Sequence, residues 1–194
     1  MVASFLWQLM ADNVEGVEAQ SRFSKQPLSW SLWEQLEAWL ELPEYELLKE
    51  YVATGDQPAL RRYRLSLQLA DIFDQYLLYR PDWIDAWQQG QTPAELSGVA
   101  HGEWQASLWR QLVEHHQLQG QTQADHRAWL QQAFLERLEC GEPLQMPANV
   151  SFFGISMMPE SHLQLLEALA KHCEVEVYQG NKVAPGFFAW LVPT

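Results

Sequence analysis

Asp56-Gln57-Pro58-Ala59-Leu60-Arg61-Arg62-Tyr63-Arg64-Leu65-Ser66-Leu67-Gln68-Leu69-Ala70-Asp71-Ile72-Phe73-Asp74-Gln75-Tyr76-Leu77-Leu78-Tyr79 carries the strongest helical pattern in the chain. Asp56 stands where a side chain can cap orphan amides, and Pro58 is tolerated in a first turn because its missing N–H would have no partner there. Leu60, Tyr63, Leu67, Ala70, Phe73 and Leu77 recur at steps of three and four, which predicts one buried stripe. Arg80-Pro81 ends the run, since a proline disfavours helical backbone in the residue before it. Opposite the stripe stand Arg64, Gln68, Asp71 and Gln75, with Asp74 alongside and Arg61 one turn earlier, so all project from one side. Such a face is most often solvated and laced with intrahelical ion pairs. Carboxylates and amides are also donors and acceptors that fit base edges, whereas Lys and Arg alone grip phosphates.

Outward from this helix the pattern stays helical through the first three quarters of the chain. Phe5, Leu6, Leu9 and Met10 form a small apolar face near the start. After a break expected at Gln26-Pro27, Leu32, Leu36, Trp39 and Leu40 recur at helical spacing, with Ser31 and Glu34 as a start signal. Tyr45, Leu48, Tyr51 and Val52 mark a short helix that Thr54-Gly55 stops. Trp83 and Trp87 suggest another turn or two, and the stretch around Gly98 and Gly102 reads as loop. Trp104, Leu108, Leu112 and Val113, closed by Gly120, form a further helix, as do Leu130, Phe134 and Leu138, ended by Gly141 and Pro143. Then the period changes. Val150 to Ile155 is an apolar run of strand character, His162 to Lys171 is helical, and Cys173 to Tyr178 alternates at period two, which predicts a parallel strand–helix–strand unit. The fold class expected is therefore mainly α, with a helical part over 1–145 and a partial βαβ unit over 146–194. Two strands make an unfinished sheet, and its open edge predicts self-association.

The chain has 194 residues, 47% of them hydrophobic, with 12 Lys and Arg against 25 Asp and Glu and a net charge of −13. This supports a packed core and one domain or slightly more, and excludes wholesale disorder. There is no apolar run long enough for a membrane span and no secretory leader pattern at the start. Cys140 and Cys173 stand far apart and form no C-x-x-C pair, which argues for a reduced, cytoplasmic protein without a disulfide scaffold or zinc site. The acidic balance disfavours a generic nucleic-acid binder, whose affinity would come from cations neutralising phosphates. No phosphate-binding loop, G-x-G-x-x-G, H-E-x-x-H or G-x-S-x-G is present, so nothing in the chain implies a cofactor, a metal or catalysis. His115-His116, adjacent rather than one turn apart, is expected on a solvated face. Of the ten tryptophans, Trp33, Trp39, Trp104 and Trp109 belong to apolar stripes and are expected in the core, while Trp7 could stack on an unpaired base.

Ala70-Asp71-Ile72-Phe73-Asp74-Gln75-Tyr76-Leu77-Leu78-Tyr79-Arg80-Pro81-Asp82-Trp83 resembles a signature of the RecC family, the gamma chains of the bacterial RecBCD helicase–nuclease, exodeoxyribonuclease V. Three collinear stretches resemble the same family: Ala3-Ser4-Phe5 with Trp7, Trp104-Gln105-Ala106 with Leu108-Trp109, and Gly154-Ile155-Ser156 with Pro159 and the Leu163–Lys171 helix. The resemblance implies that the chain is a piece of a longer polypeptide, similar to domain 1B of superfamily 1 helicases followed by strands of a RecA-like domain 1A. It implies no ATP hydrolysis, association with RecB and RecD, and a surface that scans the unwound 3′-ended single strand for the Chi sequence. By position, that surface falls on Trp7, Asp71, Ile72, Asp74, Gln75, Arg80 and Arg127. Ile72 stands where the family is expected to have leucine. The competing reading is a scaffold that packs against RecB and other RecC domains without touching DNA.

Overall fold

The computed structural model describes residues 2–17, 21–96, 103–118, 126–155 and 157–178. Among them the chain forms α1 (Val2–Asn13), α2 (Lys25–Trp39), α3 (Glu46–Ala53), α4 (Pro58–Tyr79), α5 (Pro81–Gln88), α6 (Glu103–Leu118), α7 (Arg127–Glu139), β1 (Asn149–Phe153), α8 (Glu160–Leu169) and β2 (Glu174–Tyr178). The fold is mainly helical with a small two-stranded sheet. No helix among the described residues is long and apolar enough to cross a membrane. The loop expected around Gly98 and Gly102, and the stop at Gly120, lie outside the described residues.

The first strand begins at Asn149, and by compactness the chain groups into two units. One unit joins Met1–Ala19 to Trp129–Thr194, and the other is Gln20–Ala128. In the Gln20–Ala128 unit, α2 and α4 lie against each other and bury Leu28, Leu32 and Leu36 with Leu65, Leu69, Phe73 and Leu77. Ile84 and Trp87 of α5 and Leu108, Trp109 and Leu112 of α6 complete this core, all with no exposed surface.

The inward row of α4 is not the expected one. Leu65, Leu69, Ala70, Phe73 and Leu77 are buried, whereas Leu60, Tyr63 and Leu67 are 40%, 37% and 38% exposed. The physical reason is drift. A row that covers Leu60 to Leu77 in five steps falls one residue short of five turns, so its ends stand about 100° apart around the helix. Only its second half can face α2; in the first half, Leu65 and Leu69 point inward instead.

Three smaller expectations are also corrected. Gln57, not Asp56, is the N-cap residue of α4, without a side-chain cap bond, and Pro58 opens the helix. Helix α2 starts at Lys25 behind Ser24, so Pro27 sits in its first turn and Ser31 and Glu34 are inside the helix. His116 is buried rather than solvated, its ring 4.9 Å from that of Phe23.

In the other unit, strands β1 and β2 pair in parallel from Asn149↔Glu174 to Phe153↔Tyr178, joined through α8, as the change of period predicts. Val150, Phe152 and Val177 are buried with Leu165, Leu166 and Leu169 of α8, with Leu6, Leu9 and Met10 of α1, and with Leu130, Phe134 and Leu138 of α7. Buried Asn13 ties α1 down: its Nδ2 donates to the Leu9 carbonyl at 2.8 Å and the Gln145 carbonyl at 3.0 Å, and its Oδ1 accepts from the Gln145 amide at 2.6 Å. Gly141 ends α7 at φ +68°, with its amide bonded to Leu138 and that of Glu142 to Arg137, the pattern a left-handed glycine permits.

Candidate nucleic-acid interface

The outward face of α4 changes character along its length. Its second half carries Asp71, Asp74 and Gln75, which an α-helix sets on one side because their spacing keeps them within a narrow arc. The Lys25 ammonium, brought over by the start of α2, donates to the Asp71 carboxylate. Gln75 Nε2 donates to the other oxygen of Asp71 at 3.2 Å. The hydrogen bond from Lys25, and then its charge, hold the Asp71 carboxyl below the usual range, and the same bond raises the Lys25 ammonium. One turn on, Asp74 Oδ1 lies 3.9 Å from Arg127 Nη2 at the start of α7. Ile72 is half-buried on the same turn.

Arg80 occupies the joint between α4 and α5, where Pro81 forces the helix to restart. Its Nε and Nη2 donate to the two Asp82 oxygens at 2.9 and 2.6 Å, and Nη2 also donates to Glu95 Oε1 at 2.9 Å. The guanidinium sits 3.9 Å over the Trp83 ring. The bond to Asp82 raises the guanidinium pKa further, and the bond from Arg80 lowers that of Asp82.

The structure thus brings Asp71, Asp74, Gln75 and Arg127 together, with Arg80 at the end of the same helix. Trp7 lies on α1 in the other compact unit, half-buried against that unit's core. The charged groups of the edge are neither free nor sealed: the side chains of Asp71, Asp74 and Arg80 remain 46%, 31% and 32% exposed while paired. Exposed pairs contribute little to stability, so exchanging them for a ligand's donors and acceptors costs little. Chemically this is an edge of half-open acceptors with two guanidinium groups at its margins. Among the described residues no group of His, Cys, Asp or Glu could hold a metal ion.

Sequence reasoning missed Lys25, Asp82 and Glu95. Asp82 had a local signal, two residues after Arg80 and just past a proline. Lys25 pairs across 46 positions and Glu95 across 15, and no spacing rule reaches that far.

The family described as RecC, N-terminal domain, matches residues 1–188. The chain is 39% identical over 202 residues to the RecBCD enzyme subunit RecC of Escherichia coli (strain K12), an alignment covering 98% of this chain and 18% of that protein. It is 33% identical over 199 residues to the RecBCD enzyme subunit RecC of Haemophilus influenzae, covering 93% of this chain and 18% of that one. For the RecBCD enzyme subunit RecC of Mycobacterium tuberculosis (strain ATCC 25618 / H37Rv) the identity is 29% over 181 residues, with 88% and 15% covered. The chain therefore spans less than a fifth of the length of these relatives.

Proposed function

The chain belongs to the RecC family, matching its N-terminal domain, and from that premise we propose that it is a non-catalytic reader of unpaired DNA within an assembly with RecB and RecD in the bacterial cytoplasm. On this reading the 3′-ended strand leaving the helicase passes the outward edge of α4, which contributes to Chi recognition during recombinational repair of double-strand breaks. Asp71 and Asp74 accept from base amino groups, and Gln75 donates or accepts. Arg80 and Arg127 grip phosphate or the acceptors of guanine, Ile72 supplies apolar contact, and Trp7 stacks. The helical part over 1–145 plays the role of a helicase domain 1B, and 146–194 begins a RecA-like domain that lacks ATP hydrolysis. No cofactor takes part. The observation that carries the proposal is the half-open pairing of Asp71 and Asp74: their oxygens are held in place yet remain reachable from solvent.

A net charge of −13 opposes strand binding by the chain alone, so phosphate affinity must come mainly from the rest of the assembly. The test is Asp74→Ala in the full RecB–RecC–RecD assembly. Chi response is expected to fall while unwinding and ATP hydrolysis hold; an equal fall in all three would show that the edge is structural. One observation favours the scaffold reading for part of the edge. Arg80 already spends three hydrogen bonds and a ring contact within its own unit. Arg80→Lys separates the readings, because a structural clamp loses stability with that change whereas a phosphate grip largely survives it. Self-association through the β1–β2 sheet belongs to the same account, and a monomer by light scattering at high concentration would remove it.

A further inference from the structure

The first half of the outward face of α4 holds an aromatic patch that the candidate reading residues do not include. Trp30 on α2 is 54% exposed, and its ring stands 6.0 Å from Trp33 at 89° and 6.2 Å from Tyr63 on α4. Tyr63 and Leu67 continue the exposed surface along α4. The flanking cations differ. Arg62 lies over the Trp33 ring and pairs with Glu37 at 2.6 Å, whereas Arg64 is exposed and has neither ion pair nor hydrogen bond among the described residues. An uncommitted guanidinium beside open aromatic rings, in a chain with twice as many acids as bases, is where a phosphodiester strand meets least repulsion.

We infer that Trp30, Tyr63 and Arg64 form a sequence-independent holding site for unpaired nucleic acid, the rings stacking on bases and Arg64 neutralising a phosphate. An apolar protein surface docked here would strand the Arg64 charge; a strand satisfies rings and cation together. The site rests on the reading that a strand passes α4, and it adds where that strand is held. Tyr63 and Gln75 stand about 18 Å apart along the helix, so one strand can touch the holding half and the reading half at once.

The test uses the 194-residue chain, a dT 20-mer and an abasic 20-mer at low salt, with tryptophan fluorescence as the readout. The dT 20-mer is expected to quench in the range above micromolar, and the abasic oligomer more weakly. Trp30→Ala, Tyr63→Ala and Arg64→Ala should each weaken dT binding about fivefold or more, while Glu167→Ala, at an exposed position of α8, leaves it unchanged. Absence of quenching, equal binding of the abasic oligomer, or full affinity in Trp30→Ala would overturn the site. So would a Trp30→Ala chain that keeps its DNA affinity and loses self-association by light scattering, which would mark the patch as a protein contact. Because dT carries no sequence to discriminate, loss of Chi reading in the assembly and loss of this site are separate outcomes.

Discussion

The two halves of the outer face of α4 invert the usual expectations of hydropathy. From Leu60 to Leu67 the face carries Leu60, Tyr63 and Leu67, 40%, 37% and 38% exposed, with Arg64 beside them; from Asp71 to Arg80 it is charged, and its charges are already partnered. Both halves follow from what α2 and its neighbours can cover. Helix α2 packs on α4 through Leu65, Leu69 and Phe73, and side chains at its margin reach the outer face as well. In the second half Lys25 of α2 and Arg127 of α7 meet the acids, and Arg80 pairs with Asp82 and Glu95; in the first half Trp30 of α2 stands beside Tyr63. Apolar character alone therefore does not mean burial, and charge alone does not mean availability.

The largest expected effect tests which side of α4 is inside. Phe73→Ala removes a ring with 1% exposure and should cost about 3–5 kcal/mol. Leu67→Gln should stay within about 0.5 kcal/mol. Urea unfolding measures both; a Leu67 variant as costly as the Phe73 one would place that half of the face indoors.

Acid sharpens the contrast between paired carboxylates and a buried base. His126 has 1% exposure, lies 2.9 Å from Gln88, and burial lowers its pKa to about 4. Its folded pKa lies below the unfolded value of about 6.5, so the unfolded chain takes the proton first. Stability is full above pH 6.5 and declines as pH falls toward 4, by about 3 kcal/mol at the end of that window. Asp71 and Asp82 have lowered pKa values, so their contributions persist above the ordinary carboxylate range and vanish only in stronger acid. Urea midpoints against pH should show two limbs, and His126→Gln should remove the one between pH 6.5 and 4 while the lower limb stays.

Smaller effects probe the charged half. A double-mutant cycle on Arg80 and Glu95 should return a coupling under about 1 kcal/mol; several kcal/mol would mean a sealed clamp rather than a half-open edge. Lys25→Met should raise the Asp71 pKa toward its ordinary value, followed by carboxyl chemical shifts, with little change in stability. An unmoved Asp71 would show that the pair does not form in solution.

Much of this was legible in the residues. The α4–α5 joint follows from Arg80-Pro81, the parallel strands from Val150–Ile155 and Cys173–Tyr178, and the stop of α7 from Gly141. What failed did so for identifiable reasons. The Leu60–Tyr63–Leu67 row has the right spacing but the wrong phase, because phase is set by α2 and not by α4. Phe23, distant in sequence, packs against both His116 and His126, and Trp109 packs against His126. For the candidate edge, spacing gave the shared face of Asp71, Asp74 and Gln75, whereas the cation beside each acid comes from another helix.

The most direct measurement is a structure of the RecB–RecC–RecD assembly stalled on a 3′-ended strand bearing Chi. The account expects base edges within about 3 Å of Asp71 or Asp74, with Lys25 or Arg127 displaced from its acid. Protein packed over the outer edge of α4, with both ion pairs intact and the strand elsewhere, would contradict it.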